Sequence, residues 1–280
     1  MQDNFRQSTR ATIGRTERCL ASLASQPSAP VIHKFRTQSR RVETILREIS
    51  KDGPRYQQKL SKQLCKLRKK TGRVRDLDVQ VTMLRNLKIP QAAKSKSRLI
   101  RDLLDERLQR EKQVSQSLDK KTVRDLRKRL KRLKTDLQLS PGIDLLSTAK
   151  RILDDLVQVN SAPDERMLHR YRVVGKRARY VAEMSSDEPN VREFVGQLKN
   201  LQDILGEWHD WLQLTERAKR TFGSAEKSPL FAALQNITRT KFHQAVNILN
   251  ETRNSLQQAP GSAPVPRKPQ ASVQAKAAVA

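Results

Sequence analysis

Leucine and other apolar residues recur three and four positions apart along most of this chain of 280 residues. In the stretch "LRKRLKRLKTDL", for example, Leu126, Leu130, Leu133 and Leu137 fall on one side of a helix. Strand-like alternation of apolar and polar residues is nearly absent, and Gly and Pro are scarce until the end of the chain. The pattern therefore predicts an all-α protein.

Clusters of Pro, Gly, Ser and Asp divide the pattern into separate predicted helices. We expect Gly72 and Gly206 at helix junctions, with Asp76 and Asp210 capping the following helices or pairing with basic groups. The segment from 258 to 280 is rich in Pro and Ala, which predicts a disordered tail. The helices are expected near residues 5–24, 30–50, 55–71, 73–87, 93–138, 142–159, 164–185, 190–206, 207–222 and 228–257.

Two pairs of short motifs recur at nearly the same offset along the chain. "HKFRTQSRR", which begins at His33, matches "HRYRVVGKR", which begins at His169, and "TGRVRDLD" matches "LGEWHDWL". The agreement of two separate motif pairs indicates an internal duplication. We therefore predict one helical domain over residues 1–257, built as two four-helix-bundle-like halves, about 1–140 and 141–257, related by internal pseudo-two-fold symmetry.

Charge is the most unusual property of the composition. The chain has 57 Lys and Arg against 29 Asp and Glu, a net charge of +28, which repels itself in a compact fold unless anions screen it. A polyanion is therefore the first class of partner to consider. The two cysteines, Cys19 and Cys65, lie in helical patterns and are expected to be reduced thiols. With no signal-peptide pattern and no long apolar run, we expect a cytoplasmic protein that does not enter membranes.

The repeated His motifs place positive charge on one side of each helix. On a helical wheel Arg36 and Arg40 lie near His33, and Arg172, Lys176 and Arg179 repeat the arrangement around His169. No acidic residue occurs within either stretch, so neither helix face has the usual pairs of opposite charge. A solvated amphipathic face is the plainer interpretation. Because both copies accept like-charge repulsion, we favour a face that contacts an anionic ligand, toward which imidazole can donate a hydrogen bond.

These motifs, each followed about forty residues later by "GRVRDLDV" or "GEWHDWLQL", resemble the CHAD family, the conserved-histidine α-helical domain. The resemblance extends over about residues 5–257. It implies two four-helix bundles with a basic groove between them, inorganic polyphosphate as the ligand, and an association with polyphosphate granules. It also implies that His33, Arg36, Arg40, His169, Arg172, Lys176 and Arg179 contact the ligand.

Further basic or polar residues in the same motifs and on adjoining helices extend this candidate site. Tyr180 falls on the His169 side of its helix, and His209 replaces Arg75 in the second copy of the glycine motif. The additional candidates are Arg41, Lys66, Arg73, Arg75, Tyr180, Lys199 and His209. The dense basic run "VRDLRKRLKRLK" is either a solvated helix or an auxiliary electrostatic surface, and we favour the second interpretation.

Three other functions were considered beside the binding of polyphosphate. The net charge attracts nucleic acid, but aromatic residues that stack on bases make up only 4% of the chain. A metal-dependent phosphohydrolase is suggested by "HD" at 209–210, but the chain has four scattered histidines and shows no clustered carboxylates for Mg²⁺. A scaffold that brings proteins to granules is compatible with binding. We expect a non-enzymatic protein with no cofactor.

Overall fold

The computed structural model describes residues 2–50, 53–139, 142–157, 163–185, 188–223 and 228–258. Every regular element within these ranges is a helix, which confirms the predicted all-α class. A single isolated bridge between Ser50 and Leu139 is the only β-type pairing of the described residues. Residues 259–280 of the predicted tail lie outside the described ranges. None of the helices described is long and apolar enough to cross a membrane.

Nine α-helices are formed by the described residues, and two short segments extend them. A π-helical turn, Ile45–Ile49, continues the second helix, and a 3₁₀ turn, Pro90–Ala92, precedes the fourth. The helices are α1 (Gln2–Ser25), α2 (Ala29–Thr44), α3 (Arg55–Asn86), α4 (Ala93–Gln116), α5 (Lys120–Asp136), α6 (Leu145–Val157), α7 (Glu165–Ala182), α8 (Pro189–Phe222) and α9 (Pro229–Gln258).

Three helix boundaries differ from the sequence prediction. The helices α3 and α8 run without interruption through Gly72 and Gly206, so the prediction of helix junctions at these glycines is wrong. The single helix predicted over 93–138 is instead two helices, α4 and α5. The second begins after Asp119, whose side chain accepts a hydrogen bond from the backbone N–H of Thr122 at 2.8 Å. Asp119 is therefore the N-cap of α5 and marks the start of a separate helix.

Three hydrophobic clusters form the interior. The first lies among α1, α2, α5 and the N-terminal part of α3, with Phe35 and Leu64 fully buried. The second lies among α6 to α9 and the π-helical turn Ile45–Ile49, and contains Tyr171 and Trp208. The third joins the C-terminal part of α3 and α4 to the C-terminal part of α8 and the start of α9, around Leu214. The third cluster therefore combines both sequence halves in one core, and the pseudo-two-fold relation between the halves stays a prediction.

Four helices meet where the two sequence halves contact each other. The helix α2 packs against α7, and α3 packs against α8. Two ion pairs also connect α2 and its π-helical extension to α7 and its C-cap residue, Glu183. Arg41 Nη2 lies 2.7 Å from Glu183 Oε2, and Arg177 Nε lies 3.1 Å from Glu48 Oε1. The α2–α7 and α3–α8 contacts bring the two predicted His motifs and the two glycine motifs to one region of the molecule.

Candidate anion-binding groove

A groove of about 790 Å³ lies between α2, α3, α7 and α8. Both copies of the His motif and both copies of the glycine motif contribute residues to its lining. Six Arg and Lys residues line it, together with one His and four Asp and Glu residues. The basic lining residues are His33, Arg36, Arg40, Arg75, Arg172, Lys176 and Arg179.

Eight of the fourteen residues predicted for the site line this groove: the seven basic residues just named and Tyr180. The other six lie outside the lining. Lys66, Arg73 and Lys199 are exposed on α3 and α8, and Lys66 belongs to a separate depression beside α5. The remaining three predicted residues outside the lining are Arg41, His169 and His209.

The position of Arg36 explains the glycine in the first motif. Its Nη1 donates a hydrogen bond of 2.6 Å to the backbone oxygen of Arg68 on α3. A Cβ atom at position 72 would overlap the same Nη1, so the guanidinium lies directly on the backbone of α3. Burial, reinforced by the charge of Arg40, lowers the pKa of Arg36 to about 10. Gly72 is therefore a close-approach residue in the middle of a helix.

Five of the cations that line the groove have no close carboxylate partner. Among the described residues, no carboxylate oxygen lies within 4 Å of a charged side-chain nitrogen of these five. Burial lowers the pKa of Arg172, and burial together with Arg172 and Arg40 lowers the pKa of Lys176 to about 7. An anion in the groove would favour the charged forms of these groups. The five cations are Arg36, Arg40, Arg75, Arg172 and Lys176.

The acidic residues of the groove were not predicted as site residues. Asp76 and Asp210 lie within α3 and α8, so the prediction that they cap helices is wrong. For the alternative, pairing with a basic group, arginines lie near both carboxyl groups, but no ion pair within 4 Å among the described residues includes either. Desolvation raises the pKa of both carboxyl groups, although Asp76 is exposed and Asp210 half-buried. Arg172 opposes both shifts, and Asp76 further raises the pKa of Asp210. Asp203 and Glu207 line the same side of α8. The groove is therefore mixed in charge, with the cations in excess.

The two histidines of the repeated motif are placed differently. His33 lines the groove, and burial together with Arg75 lowers its pKa. His169 lies against His209, with 5.5 Å between the ring centroids. Burial, together with Arg172 and His169, lowers the pKa of His209 to about 3. His209 is therefore neutral at pH 7, and of the two motif histidines only His33 lines the groove.

Arg41 and Arg179 both contact the ring of Tyr180, which lines the groove. Their guanidinium carbons lie 5.6 and 5.3 Å from the centre of the Tyr180 ring, and both guanidinium groups pair with Glu183. Tyr180 is only 4% exposed. Cation–π contacts of this kind fix the ring and both arginines in place. Arg41 thus belongs to the connection between α2 and α7.

The described part of the chain contains no group of three or more His, Cys, Asp or Glu residues that could hold a metal ion.

The sequence model of the CHAD domain matches residues 12–219. The chain belongs to the CHAD family. This match agrees with the family indicated by the paired motifs, and its range includes every predicted site residue.

Solved structures share the fold of this CHAD protein. The CHAD domain from the plant Ricinus communis superimposes with a TM-score of 0.64 at 16% identity, covering 91% of each chain. PptA from Streptomyces chartreusis gives the same TM-score at 14% identity, covering 91% of this chain and 98% of PptA. A comparison with curated proteins gives no significant match.

Several groove residues could have been found by extending a helical wheel. Asp203, Gly206, Glu207 and Asp210 are spaced three and four residues apart, so they share one side of α8. Asp210 was predicted to have a structural role instead, because a carboxylate repels phosphate. Trp211, which also lines the groove, has no such signal, because its position depends on how α3 crosses α8.

Proposed function

We propose that this CHAD protein binds inorganic polyphosphate in the groove between α2, α3, α7 and α8 and leaves the polymer intact. The observation that carries the proposal is the convergence of Arg36, Arg40, Arg75, Arg172 and Lys176 on one groove, with no described carboxylate within 4 Å of their charged nitrogens. A chain of phosphates supplies the missing counter-charge. Family membership supports the same ligand, because CHAD resemblance implies polyphosphate binding.

The spacing of the cations suits a linear polymer. On each of α2 and α7, two cations are four residues apart: Arg36 and Arg40, and Arg172 and Lys176. Four residues of α-helix rise about 6 Å, so the two cations on each helix can contact separate phosphates along one linear polymer. The arginine guanidinium groups bind phosphate oxygens through paired hydrogen bonds, and Lys176 acts as a mobile point charge.

The shape of the groove favours a slender chain over a duplex. Its volume, about 790 Å³, is that of a typical small-ligand pocket, in which the stacked base pairs of a duplex have no room. The carboxylates of Asp76 and Asp210 add local repulsion, so a ligand must keep its phosphates close to the flanking cations. A flexible polymer can adjust in this way.

The first test removes three groove cations without touching the Arg36 contact to α3. We expect the triple variant R40A/R172A/K176A to bind polyphosphate at least 100-fold more weakly in titrations at fixed ionic strength. The matched control is K69A/R73A/K199A, which removes three exposed charges of α3 and α8, the other two helices of the groove, outside its lining. We expect the control to lose less than about threefold. Equal affinities of the two variants contradict the groove assignment, and shortening of the polymer on gels contradicts non-catalytic binding.

Single-stranded nucleic acid is the second candidate because Trp211 lines the groove and offers one ring for base stacking. Competition at fixed ionic strength separates the two ligands. We expect long-chain polyphosphate to displace labelled single-stranded and double-stranded nucleic acid at far lower phosphate concentration than the reverse. Preferential binding of single strands, with a loss of about tenfold in W211A, supports nucleic acid instead.

A further inference from the structure

We propose that the exposed side of α5, together with the start of α1, is a second polyphosphate-binding surface that long polymers reach while they occupy the groove. This inference rests on the proposed function. We call this surface the α5 face and define it by Lys120, Arg124, Lys128, Lys131 and Lys134, all of them exposed. None of these residues lines the groove.

The α5 face follows from the leucine pattern of its helix. Leu126, Leu130 and Leu133 are buried in the first hydrophobic cluster, which leaves the basic residues on the opposite side. Two depressions lie along that side. One, of about 630 Å³, lies near the start of α5, and the other, of about 430 Å³, lies between the end of α5 and Arg6 and Arg10 of α1.

Charge distinguishes the α5 face from the groove. Neither depression is lined by an acidic residue, whereas the groove contains four. Arg127 pairs with Glu17 at 3.3 Å, but the salt bridges of the described residues include none of the five cations that define the face. Their charges repel one another along one helix, which an extended polyanion would relieve. The seventeen residues of α5 give a track of about 25 Å.

Polyphosphate is favoured over nucleic acid as the occupant for two reasons. The lining of both depressions lacks aromatic residues, so no ring is available for bases. A polymer already held in the groove is also present at high effective concentration near the rest of the surface, an advantage that a separate nucleic acid lacks. A protein of this length has a radius of gyration of about 19 Å, so a chain of a hundred phosphates can reach both surfaces.

The experiment compares two chain lengths on full-length protein. The α5-face variant K120Q/R124Q/K128Q/K131Q replaces four of these cations with glutamine, which is neutral and favours a helix. Its matched control, K94Q/R101Q/K112Q/K219Q, removes four exposed charges from α4 and the end of α8. Affinities are measured for polymers of about 10 and about 100 phosphates and for a DNA duplex, with R40A/R172A/K176A as the groove variant.

We expect the α5-face variant to lose at least tenfold in affinity for the long polymer and less than twofold for the short one, while the control changes little. The groove variant should lose affinity for both lengths. Unchanged long-chain affinity, or an equal loss in the control, overturns the second surface and leaves the groove proposal intact. Selective loss of duplex binding shows that the face takes nucleic acid. No polyphosphate binding by the unaltered protein overturns both proposals.

Discussion

The Arg36 guanidinium lies on the backbone of α3 at Gly72, where any Cβ atom would overlap its Nη1. This contact brings a ligand-binding candidate of α2 onto a helix that supplies Arg75 and Asp76 to the same groove. The corresponding glycine of the second motif, Gly206, has open space where its Cβ would be. The two glycines therefore provide a matched pair of positions for a test.

We expect G72A to lower polyphosphate affinity about five- to tenfold, because the new methyl group displaces Arg36 from α3. G206A adds a methyl group to the groove lining at a place where no atom lies within 4 Å, so it should lose less affinity than G72A and stabilise the protein by about 0.5–1 kcal/mol through helix propensity. Titration and urea unfolding of both variants test this. In the R36A background, G72A should cause no further loss of affinity, and a full additional loss would contradict the role assigned to Gly72.

Lys176 should make binding depend on pH. Because its pKa in the unbound protein is about 7, the side chain is largely neutral at pH 8, and binding of phosphates requires it to take up a proton. We expect affinity to fall by up to about tenfold per pH unit above pH 7. K176R, whose charge does not titrate in this range, should lack this decline. Calorimetry in buffers of different ionisation enthalpy measures the proton directly, and no uptake at pH 8 would contradict this role.

The same lysine should destabilise the unbound protein. Its pKa falls from 10.5 to about 7 on folding, so the unfolded state binds more protons between these values. Stability therefore decreases as pH falls from about 10.5 to 7 and is then level. We expect K176M to stabilise the protein at pH 6 by roughly 1–3 kcal/mol in urea unfolding, with a smaller gain at pH 10. An equal gain at both pH values would show that packing, not charge, is responsible.

Glu183 should contribute to stability because it pairs with both Arg41 and Arg179 beside Tyr180. E183Q keeps the shape of the side chain but leaves two guanidinium groups without a carboxylate, and we expect a loss of about 1–2 kcal/mol. The control is D136A, which breaks the more exposed pair of Asp136 with Arg132 and should cost less than about 0.5 kcal/mol. Chemical unfolding that finds equal losses would contradict the role of Glu183 as a connector.

Local sequence patterns were sufficient to predict most of the helices and the opposed basic and apolar sides of α2 and α7. Phe35 and Tyr171 are fully buried on the sides opposite the cations, as the helical wheel predicts. The continuous course of α3 through Gly72 was not predictable, because glycine more often ends a helix, and its function depends on Arg36 from another element. The third hydrophobic cluster was not predictable either, because it forms only where helices of the two sequence halves cross.

The sequence was sufficient to predict most of the cations of the candidate site, but not how far the groove extends. A helical wheel gives the direction of a side chain but not whether the groove reaches it, so His169 shares a direction with Arg172 and yet lies against His209 outside the lining. Asp76 and Asp210 were likewise predicted to cap helices or pair with basic groups, and not to line the site. Their placement depends on α3 and α8 meeting at the groove, which no local pattern encodes.

The central claim is that phosphates occupy the groove beside the unpaired cations of α2 and α7. The most direct measurement is a crystal structure of the protein with a polyphosphate of about ten units. We expect consecutive phosphates within hydrogen-bond distance of Arg40, Arg172 and Lys176. A polymer bound elsewhere on the protein, with the groove unoccupied at saturating ligand, would contradict the account.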